Sequence, residues 1–255
     1  MKVPILSELK ANGIDPEYLF WVGCAGSFDE RSKKVTKAFI KILNKANVSF
    51  AILGKEESCT GDPAKRAGNE FLFQMQALTN IELMNNYGVE KIVTTCPHDY
   101  NTLKNEYKGL GGNYDVYHHT EYISQLLADG RINIKGDIQD RKIVYHDPCY
   151  LGRGNNVYIE PRKVIESLGV NVIEMKRSKR SSFCCGAGGS QMFKDPESGD
   201  KEINIERTEE ALQSNPDIIA TACAFCNIMI TDGVKSIDEG SAEVIDIAEL
   251  IADNI

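Results

Sequence analysis

The sequence predicts an α/β protein built from two tandem lobes, each with a mainly parallel sheet, that are related by a pseudo-twofold axis. Two observations support this fold class. Strand-like and helix-like segments alternate along the chain, and the second half repeats the cysteine positions of the first. Alternating strands and helices are typical of βαβ units, whose strands run parallel. We place the lobes at 1–130 and 138–255, with a polar joint at 131–141.

The internal repeat has an offset of 125 residues, which grows to 127 near the end of each half. The superposed positions are Cys24 with Cys149, Cys59 with Cys184, Thr60 with Cys185, Cys96 with Cys223, and Asp99 with Cys226. All eight cysteines take part in this correspondence. Repeated units of this kind are the signature of a duplicated supersecondary structure.

Short apolar runs rich in β-branched residues come just before a cysteine four times. These predicted strands cover residues 18–23, 91–95, 142–146 and 217–222. Functional groups in open α/β sheets gather at the carboxyl ends of the strands. We therefore expect Cys24, Cys96, Cys149 and Cys223 to lie at such sheet edges, with Cys184 and Cys185 brought in by a glycine-rich loop.

Helical periodicity fills the segments between these strands. The first helix is expected at 29–46, where apolar residues recur at helical spacing and Asp29 is suited to cap the amino end. A second, long helix is expected at 64–87. Their counterparts in the second half are expected at 161–168 and 203–213.

The composition narrows the class of protein. The 255 residues include 42% hydrophobic and 26% charged residues, and the net charge is −8. The acidic balance and the lack of basic stretches interleaved with aromatics argue against nucleic-acid binding. No secretory leader or membrane span is expected, so the predicted location is cytoplasmic, with any membrane association through a partner. Cysteines in that compartment more often serve as metal or redox ligands than as disulfides.

Five cysteines of the second half form the main candidate site: Cys149, Cys184, Cys185, Cys223 and Cys226. Thiolates are soft ligands that suit zinc or iron–sulfur clusters. Zinc and a simple [4Fe–4S] cluster each take four ligands, so five exceed both. Buried apolar packing, a structural zinc site and a thioredoxin-like dithiol at Cys223-x-x-Cys226 remain as alternatives.

The cysteine pattern resembles the CCG domain of the heterodisulfide reductase B-subunit family and of iron–sulfur subunits linked to glycolate oxidase and electron-transfer flavoproteins. The stretches that carry the resemblance are FWVGCAG at 20–26, HDPCYLGR at 146–153 and CCGAGG at 184–189. The resemblance covers almost the whole chain, because the family carries two such domains in tandem.

The resemblance implies a noncubane [4Fe–4S] cluster on the five cysteines of the second lobe. It also implies an electron-transfer subunit whose partner is a flavoprotein, a ferredoxin-like iron–sulfur subunit or a membrane quinone module. The chain has no ferredoxin-type cysteine run, so the partner would supply the cubane relay clusters. Two alternatives stay open: catalytic reduction of a disulfide or related sulfur substrate, and a zinc-stabilised binding module.

The first lobe has an incomplete version of the site, made of Cys24, Cys59, Cys96 and Asp99. Three thiolates and a carboxylate could hold a [4Fe–4S] cluster, a [3Fe–4S] cluster or zinc, or the site could be vestigial. His98 is a further candidate ligand because it adjoins Asp99.

Other polar residues near the cysteines receive structural predictions. His146 and Asp147 are expected to hold a loop together by hydrogen bonds, with tuning of the cluster or proton donation as the alternative. His118 and His119 are expected in a structural or interface role. Arg162 is expected either to pair on a helix surface or to supply positive charge to an anionic cluster.

Overall fold

The computed structural model describes residues 3–136, 138–195 and 198–255, and over these ranges the chain forms eight strands and twelve α-helices. The strands are Tyr18–Trp21 (β1), Phe50–Ala51 (β2), Lys91–Thr94 (β3), Asp115–His118 (β4), Ile143–Tyr145 (β5), Val172–Ile173 (β6), Ile218–Thr221 (β7) and Glu243–Asp246 (β8). The helices are Leu6–Ala11 (α1), Gly23–Phe28 (α2), Glu30–Lys45 (α3), Asp62–Arg66 (α4), Glu70–Asn86 (α5), Pro97–Asn101 (α6), His119–Ala128 (α7), Gly152–Asn155 (α8), Ile159–Glu166 (α9), Ile203–Leu212 (α10), Ala224–Asp238 (α11) and Ile247–Asp253 (α12).

The strands of the described residues form two four-stranded sheets in which every pairing is parallel. The first sheet has the order β2-β1-β3-β4, and the second has the order β6-β5-β7-β8. The two orders are the same once the repeat is taken into account. The predicted α/β fold with two tandem lobes and parallel sheets is therefore confirmed.

Helix α3 shows how the predicted pattern becomes structure. Its apolar positions Val35, Phe39 and Leu43 are buried against the first sheet's core. Asp29 caps its amino end, since the carboxylate accepts a hydrogen bond from the backbone N–H of Ser32 at 2.7 Å. The prediction of a helix over 29–46 with an Asp29 cap is confirmed.

The prediction of one helix over 64–87 is wrong, because two helices occupy that region. Helix α4 ends at Arg66, and helix α5 begins at Glu70 with Asn69 as its cap. Gly68 lies between them with a φ of +86°, a left-handed conformation that ends an α-helix. The helical periodicity continues across this glycine, so the apolar pattern alone does not reveal the break.

Equivalent helices of the two lobes make equivalent contacts across the lobe interface. Helix α3 of the first lobe packs against α12 of the second, and α9 of the second packs against α7 of the first. Because α3 corresponds to α9 and α7 to α12, these two contacts are equivalent. Such a reciprocal arrangement is that of an isologous interface around a twofold axis.

A partly buried ion pair strengthens this interface. The guanidinium of Arg31 on α3 donates to both carboxylate oxygens of Glu249 on α12, at 2.9 and 2.7 Å, and to the carbonyl oxygen of Val244 at 3.0 Å. Paired donation of this kind fixes orientation as well as distance. Arg31 therefore ties the first lobe to β8 and to the helix that follows it.

His118 and His119 are both fully buried where β4 meets α7. His118 caps α7, and its backbone N–H donates to Glu121 at 3.0 Å. His119 Nε2 lies 3.2 Å from Asp246 Oδ1 in the second lobe. Their positions agree with the predicted structural and interface role.

The segment that joins the lobes is not wholly polar and exposed. Ile132 is buried in the core, and the backbone N–H of Lys135 donates to the carbonyl oxygen of Asn254 at 2.7 Å. The predicted joint at 131–141 also includes residue 137, which lies outside the described residues. Among the described residues, no helix is both long enough and apolar enough to cross a bilayer.

Candidate functional site

All four cysteines that follow a predicted strand lie at the carboxyl edge of a sheet. Cys24 lies on α2 just after β1, and Cys96 follows β3 at the start of α6. Cys149 comes after β5, and Cys223 follows β7 at the start of α11. Since parallel strands end at the same edge, the fold gathers these thiols as the sequence predicts.

The five cysteines of the second lobe form a continuous chain of contacts. The neighbouring pairs, each close enough for the two thiols to shift one another's pKa, are Cys149 with Cys184, Cys184 with Cys185, Cys185 with Cys226, and Cys226 with Cys223. The imidazole of His146 lies beside this chain, because one ring nitrogen and the sulfur atoms of Cys185 and Cys226 are within 4.8 Å of one another. The structure thus assembles all five thiols around one locus.

The glycine-rich loop presents Cys184 and Cys185 to this locus. Gly186 has a φ of +93°, and its N–H donates to the sulfur of Cys184 at 3.3 Å. A Cβ added to Gly186 would approach the Cβ of Ile203 at 3.2 Å, so the loop is tightly fitted there. Hydrogen bonds from Cys149 and Cys185 lower the pKa of Cys184 to about 2, which favours the thiolate that metals bind.

Contacts between the equivalent positions of the second-lobe site are also present in the first lobe, although two of the side chains there are not cysteines. Thr60 donates from its hydroxyl to Asp99 Oδ1 at 2.7 Å, just as the equivalent Cys185 and Cys226 touch each other. The N–H of Gly61 donates to the sulfur of Cys59 at 3.4 Å, as Gly186 does to Cys184. The repeat therefore extends to individual hydrogen bonds.

Two carboxyl groups at the first-lobe site have raised pKa values because they are buried. Desolvation raises the pKa of Asp99 to about 6 and that of Glu57 to about 8. Glu57 accepts hydrogen bonds from the backbone N–H groups of Val22 and Gly23, at 3.0 and 2.6 Å. The sequence does not single out Glu57, because a glutamate two residues before a cysteine carries no recognisable signal.

The thiols of the first lobe divide into two groups. Cys24 contacts Cys59, whereas Cys96 contacts Asp99 and also Cys223 of the second lobe. Cys96 and Cys223 are repeat-equivalent, so their contact places the pseudo-twofold axis between them. The two sites are therefore adjacent across the lobe interface, and a small cavity over the first site is lined by both lobes.

His98 lines the same cavity as the first-lobe thiols, but its polar contacts are made elsewhere. Its Nδ1 is 2.8 Å from Asp62 Oδ2, and it is in hydrogen-bonding contact with Cys223 of the second lobe. Its ring stacks on Tyr150 with centroids 4.2 Å apart. Burial lowers the pKa of His98, but the contacts with Asp62 and Cys223 outweigh it and raise the pKa to about 10.

His146 and Asp147 each have a charged partner. Arg207 donates from Nε to His146 Nδ1 at 3.0 Å, and burial together with this cation lowers the pKa of His146 to about 3. Arg162 donates to both oxygens of Asp147 at 2.8 and 2.9 Å. Arg162 therefore forms an ion pair with Asp147. His146 is hydrogen-bonded to Arg207 and also lies beside the sulfur atoms of Cys185 and Cys226.

The donor set fits an iron–sulfur group better than a single ion. A tetrahedral metal ion takes four ligands, whereas the second lobe brings five thiols together as a series of neighbouring pairs. All eight cysteines are free, so none is withdrawn into a disulfide. The carboxyl-edge position, the glycine-rich loop and the thiol count together define a two-lobed, cysteine-rich metal-binding class of protein.

Comparison with known proteins agrees with that class. The profile of the cysteine-rich domain family named CCG matches residues 18–104 and again residues 143–231. These matches cover more than half of the chain, one in each half. The chain belongs to the CCG cysteine-rich domain family.

Several curated relatives are oxidoreductases. The chain is 48% identical over 254 residues to an EtfAB:quinone oxidoreductase of Syntrophomonas wolfei, and 44% identical over 256 residues to the probable iron-sulfur-binding oxidoreductase FadF of Bacillus subtilis. These alignments cover 97% and 100% of this chain but 35% and 36% of those relatives. It is also 31% identical to a component of the Methanosarcina barkeri dihydromethanophenazine:CoB–CoM heterodisulfide reductase, over 93% of this chain and 58% of that protein. The chain therefore spans about a third of the length of the first two.

Proposed function

We propose that this chain is an iron–sulfur electron-transfer module of an oxidoreductase complex. The single observation that carries the proposal is the unbroken series of contacts among the five second-lobe cysteines. Membership of the CCG family and relatives named as iron–sulfur oxidoreductases support it.

The residues that would hold the cluster are Cys149, Cys184, Cys185, Cys223 and Cys226. Adjacent Cys184 and Cys185 suit a cluster with separated iron atoms, and the count of five supports the noncubane [4Fe–4S] type. A bound cluster of this kind supplies a site that accepts and releases one electron at a time. The glycine-rich loop shapes the locus, and the N–H of Gly186 stabilises one thiolate.

The first lobe would carry the weaker metal site, with Cys24, Cys59, Cys96 and Asp99 as its donors. Asp99 already uses one carboxylate oxygen to accept from Thr60, and Cys96 is turned toward Cys223. These contacts support weak or partial occupancy by a [4Fe–4S] cluster, a [3Fe–4S] cluster or zinc. They do not support a second five-thiol cluster.

The partners are proposed from the names of the relatives. One relative is named for EtfAB and a quinone, and another is a probable membrane-anchored ferredoxin of Chromohalobacter salexigens, 37% identical over 257 residues. We therefore place the module between a flavoprotein donor and a quinone-reducing membrane module, with a ferredoxin-like segment or subunit supplying cubane clusters. Electron transfer would occur on the cytoplasmic side of the membrane.

The test is anaerobic reconstitution of the 255-residue chain, followed by iron, sulfide and zinc counts and EPR of the reduced form. Four iron and four sulfide per second-lobe site are expected for a [4Fe–4S] cluster. Cys185→Ser should abolish the EPR signal of the reduced second-lobe cluster. Cys24→Ser should leave that signal unchanged, since Cys24 contacts the first-lobe thiol Cys59. Zinc without sulfide would overturn the proposal in favour of a zinc-stabilised module.

A second candidate function is reduction of a disulfide or related sulfur substrate. The observation that favours it is the adjacency of the two sites across the lobe interface, together with the heterodisulfide reductase relative. Thr60 and Asp99 weigh against it, since they replace two thiols. Fast reoxidation of the reduced chain by an added low-molecular-weight disulfide would favour this function over simple electron relay.

A further inference from the structure

A buried arginine orients the histidine that faces the second-lobe sulfurs. Arg207 is fully buried on α10, and its Nε donates to His146 Nδ1 at 3.0 Å. Its Nη1 donates to Glu210 Oε2 at 3.0 Å and to the carbonyl oxygen of Arg177 at 2.9 Å. The guanidinium is thus held in place by two further acceptors, and the imidazole it contacts is held with it.

This contact decides which ring nitrogen of His146 carries the proton. A guanidinium nitrogen donates and never accepts a hydrogen bond, so Nδ1 must present its lone pair to Arg207. The proton of the neutral ring then lies on Nε2. Nε2 is buried, has no hydrogen-bond partner within the part of the chain that is described, and is the ring atom turned away from Arg207.

The sulfur atoms of Cys185 and Cys226 are the soft acceptors beside this ring. A ring nitrogen of His146 lies within 4.8 Å of both, and all three side chains are buried. Since Nδ1 is taken up by Arg207, we assign the nitrogen beside these two neighbouring thiols as the buried Nε2–H. A buried donor left without a partner is destabilising, so an acceptor at this place is expected.

We propose that the Nε2–H of His146 donates a hydrogen bond to the thiolate of Cys185 or Cys226, and that Arg207 is the residue that positions it. This inference rests on the proposed function, because it takes those thiolates as cluster ligands. His146 is then a donor to the cluster's ligands, not itself a ligand.

The alternative, ligation of a metal by His146, conflicts with the contact to Arg207. Ligation through Nε2 would require lone pairs on both ring nitrogens, which is the rarely formed imidazolate. His98 shows the contrasting arrangement, since its Nδ1 faces the carboxylate of Asp62 at 2.8 Å. A carboxylate partner is what metal-ligating histidines commonly have, and a guanidinium is not.

The consequence is a change in the cluster's reduction potential. A hydrogen bond to a ligand sulfur stabilises the reduced cluster more than the oxidised one, because the reduced cluster carries more negative charge. Loss of the donor should therefore shift the potential downward. We expect the ratio of reduced to oxidised cluster at a fixed ambient potential to fall about tenfold, which is about 59 mV for one electron.

The experiment is a redox titration, monitored by EPR, of the anaerobically reconstituted 255-residue chain. His146→Leu should show the lower potential, and His146→Gln, which keeps an amide N–H donor, should recover most of it. Arg207→Met should also lower the potential, because the ring is then free to take the other tautomer. Trp21→Phe is the matched control: Trp21 is the repeat-equivalent of His146, and its indole N–H is likewise buried without a partner among the described residues. This control should leave the potential unchanged.

The outcomes separate the inference from the function on which it rests. Wild-type protein without iron or sulfide overturns the proposed function. A loaded wild-type cluster whose potential is the same in His146→Leu, or moves equally in Trp21→Phe, overturns the inference alone. If His146→Leu fails to hold a cluster, hyperfine spectroscopy of wild-type protein with ¹⁵N-labelled histidine decides. Weak nitrogen coupling and an exchangeable proton support the hydrogen bond, and strong direct iron–nitrogen coupling overturns it.

Discussion

Thr60 and Asp99 are the two side chains that most distinguish the first lobe from the second. They form a hydrogen bond at 2.7 Å where the second lobe has the contact between Cys185 and Cys226. Both side chains are buried, as are the equivalent Cys185 and Cys226 of the second lobe. The difference between the lobes is therefore one of ligand chemistry and not of shape.

The double variant Thr60→Cys/Asp99→Cys tests whether those two side chains limit the first site. It should roughly double the iron and sulfide content per chain after reconstitution, because five thiols then surround each locus. Iron and sulfide assays with EPR spin quantitation check this result.

Thr60→Ser/Asp99→Ser is the matched control for that variant. It introduces two residues close to cysteine in size but without thiols, and it removes the Asp99 carboxylate, so its iron content should not rise above the wild-type level. An unchanged iron content in the cysteine double variant would show that the orientation of Cys96 toward Cys223, and not the missing thiols, limits the first site.

The helices and strands show which parts of the structure local sequence determines. The strands before the cysteines follow from short β-branched runs, and α3 follows from its apolar spacing and the Asp29 cap. The sequence pattern does not reveal the break at Gly68, because a single glycine ends a helix only when its backbone takes a left-handed conformation. That choice depends on packing around the turn, which the sequence pattern does not contain.

Two glycines at element boundaries give a stability prediction. Gly23 opens α2 with a φ of +77°, and a Cβ there would overlap Asp99 Oδ2. Gly23→Ala should therefore lower the free energy of unfolding for two reasons. A left-handed backbone costs an alanine about 1–2 kcal/mol, and the overlap with Asp99 costs about 1–3 kcal/mol more. Denaturant unfolding of the metal-free chain measures the total.

Gly68→Ala supplies the comparison for this measurement. Gly68 has a similar φ of +86°, but nothing among the described residues lies within 4 Å of an added Cβ, so only the backbone term is expected. In the double variant Gly23→Ala/Asp99→Ala the overlap is removed, so the steric part of the lost unfolding free energy should be recovered. Equal losses for Gly23→Ala and Gly68→Ala would contradict the close approach of Asp99 to Gly23.

At the scale of the whole molecule, the important contacts join residues far apart in the chain. The repeat predicted that each lobe would gather its cysteines at a sheet edge, but not that Cys96 would meet Cys223. The contact of Arg207 with His146 is also not predictable from the sequence, since 61 residues separate them and no sequence motif links the two. Such contacts depend on how helices pack, which no short spacing encodes.

The interlobe ion pair links lobe packing to retention of a bound metal group. Arg31→Met keeps the aliphatic stem but removes the bonds to Glu249 and Val244. The loss should be about 1 kcal/mol because the pair is partly exposed, and opening of the lobes should become about fivefold more frequent. Since both sites border the interface, a chelator should remove iron from the loaded variant correspondingly faster.

Lys33→Met on the same helix is the control for this prediction. Lys33 forms an ion pair with the exposed Glu30 of its own helix, a contact that does not cross the lobe interface. Its rate of iron loss should match wild type. Equal rates for Arg31→Met and wild type would show that iron leaves without separation of the lobes.

The meeting of Cys96 with Cys223 also bears on the origin of the molecule. Equivalent residues of two repeats touch each other at an isologous interface, and such an interface arises when identical subunits associate in pairs. The fused chain therefore has the geometry that duplication of a self-associating ancestral lobe would leave behind. Once both copies were joined, one could lose thiols while the other kept them, an asymmetry that no homodimer encoded by a single gene can acquire.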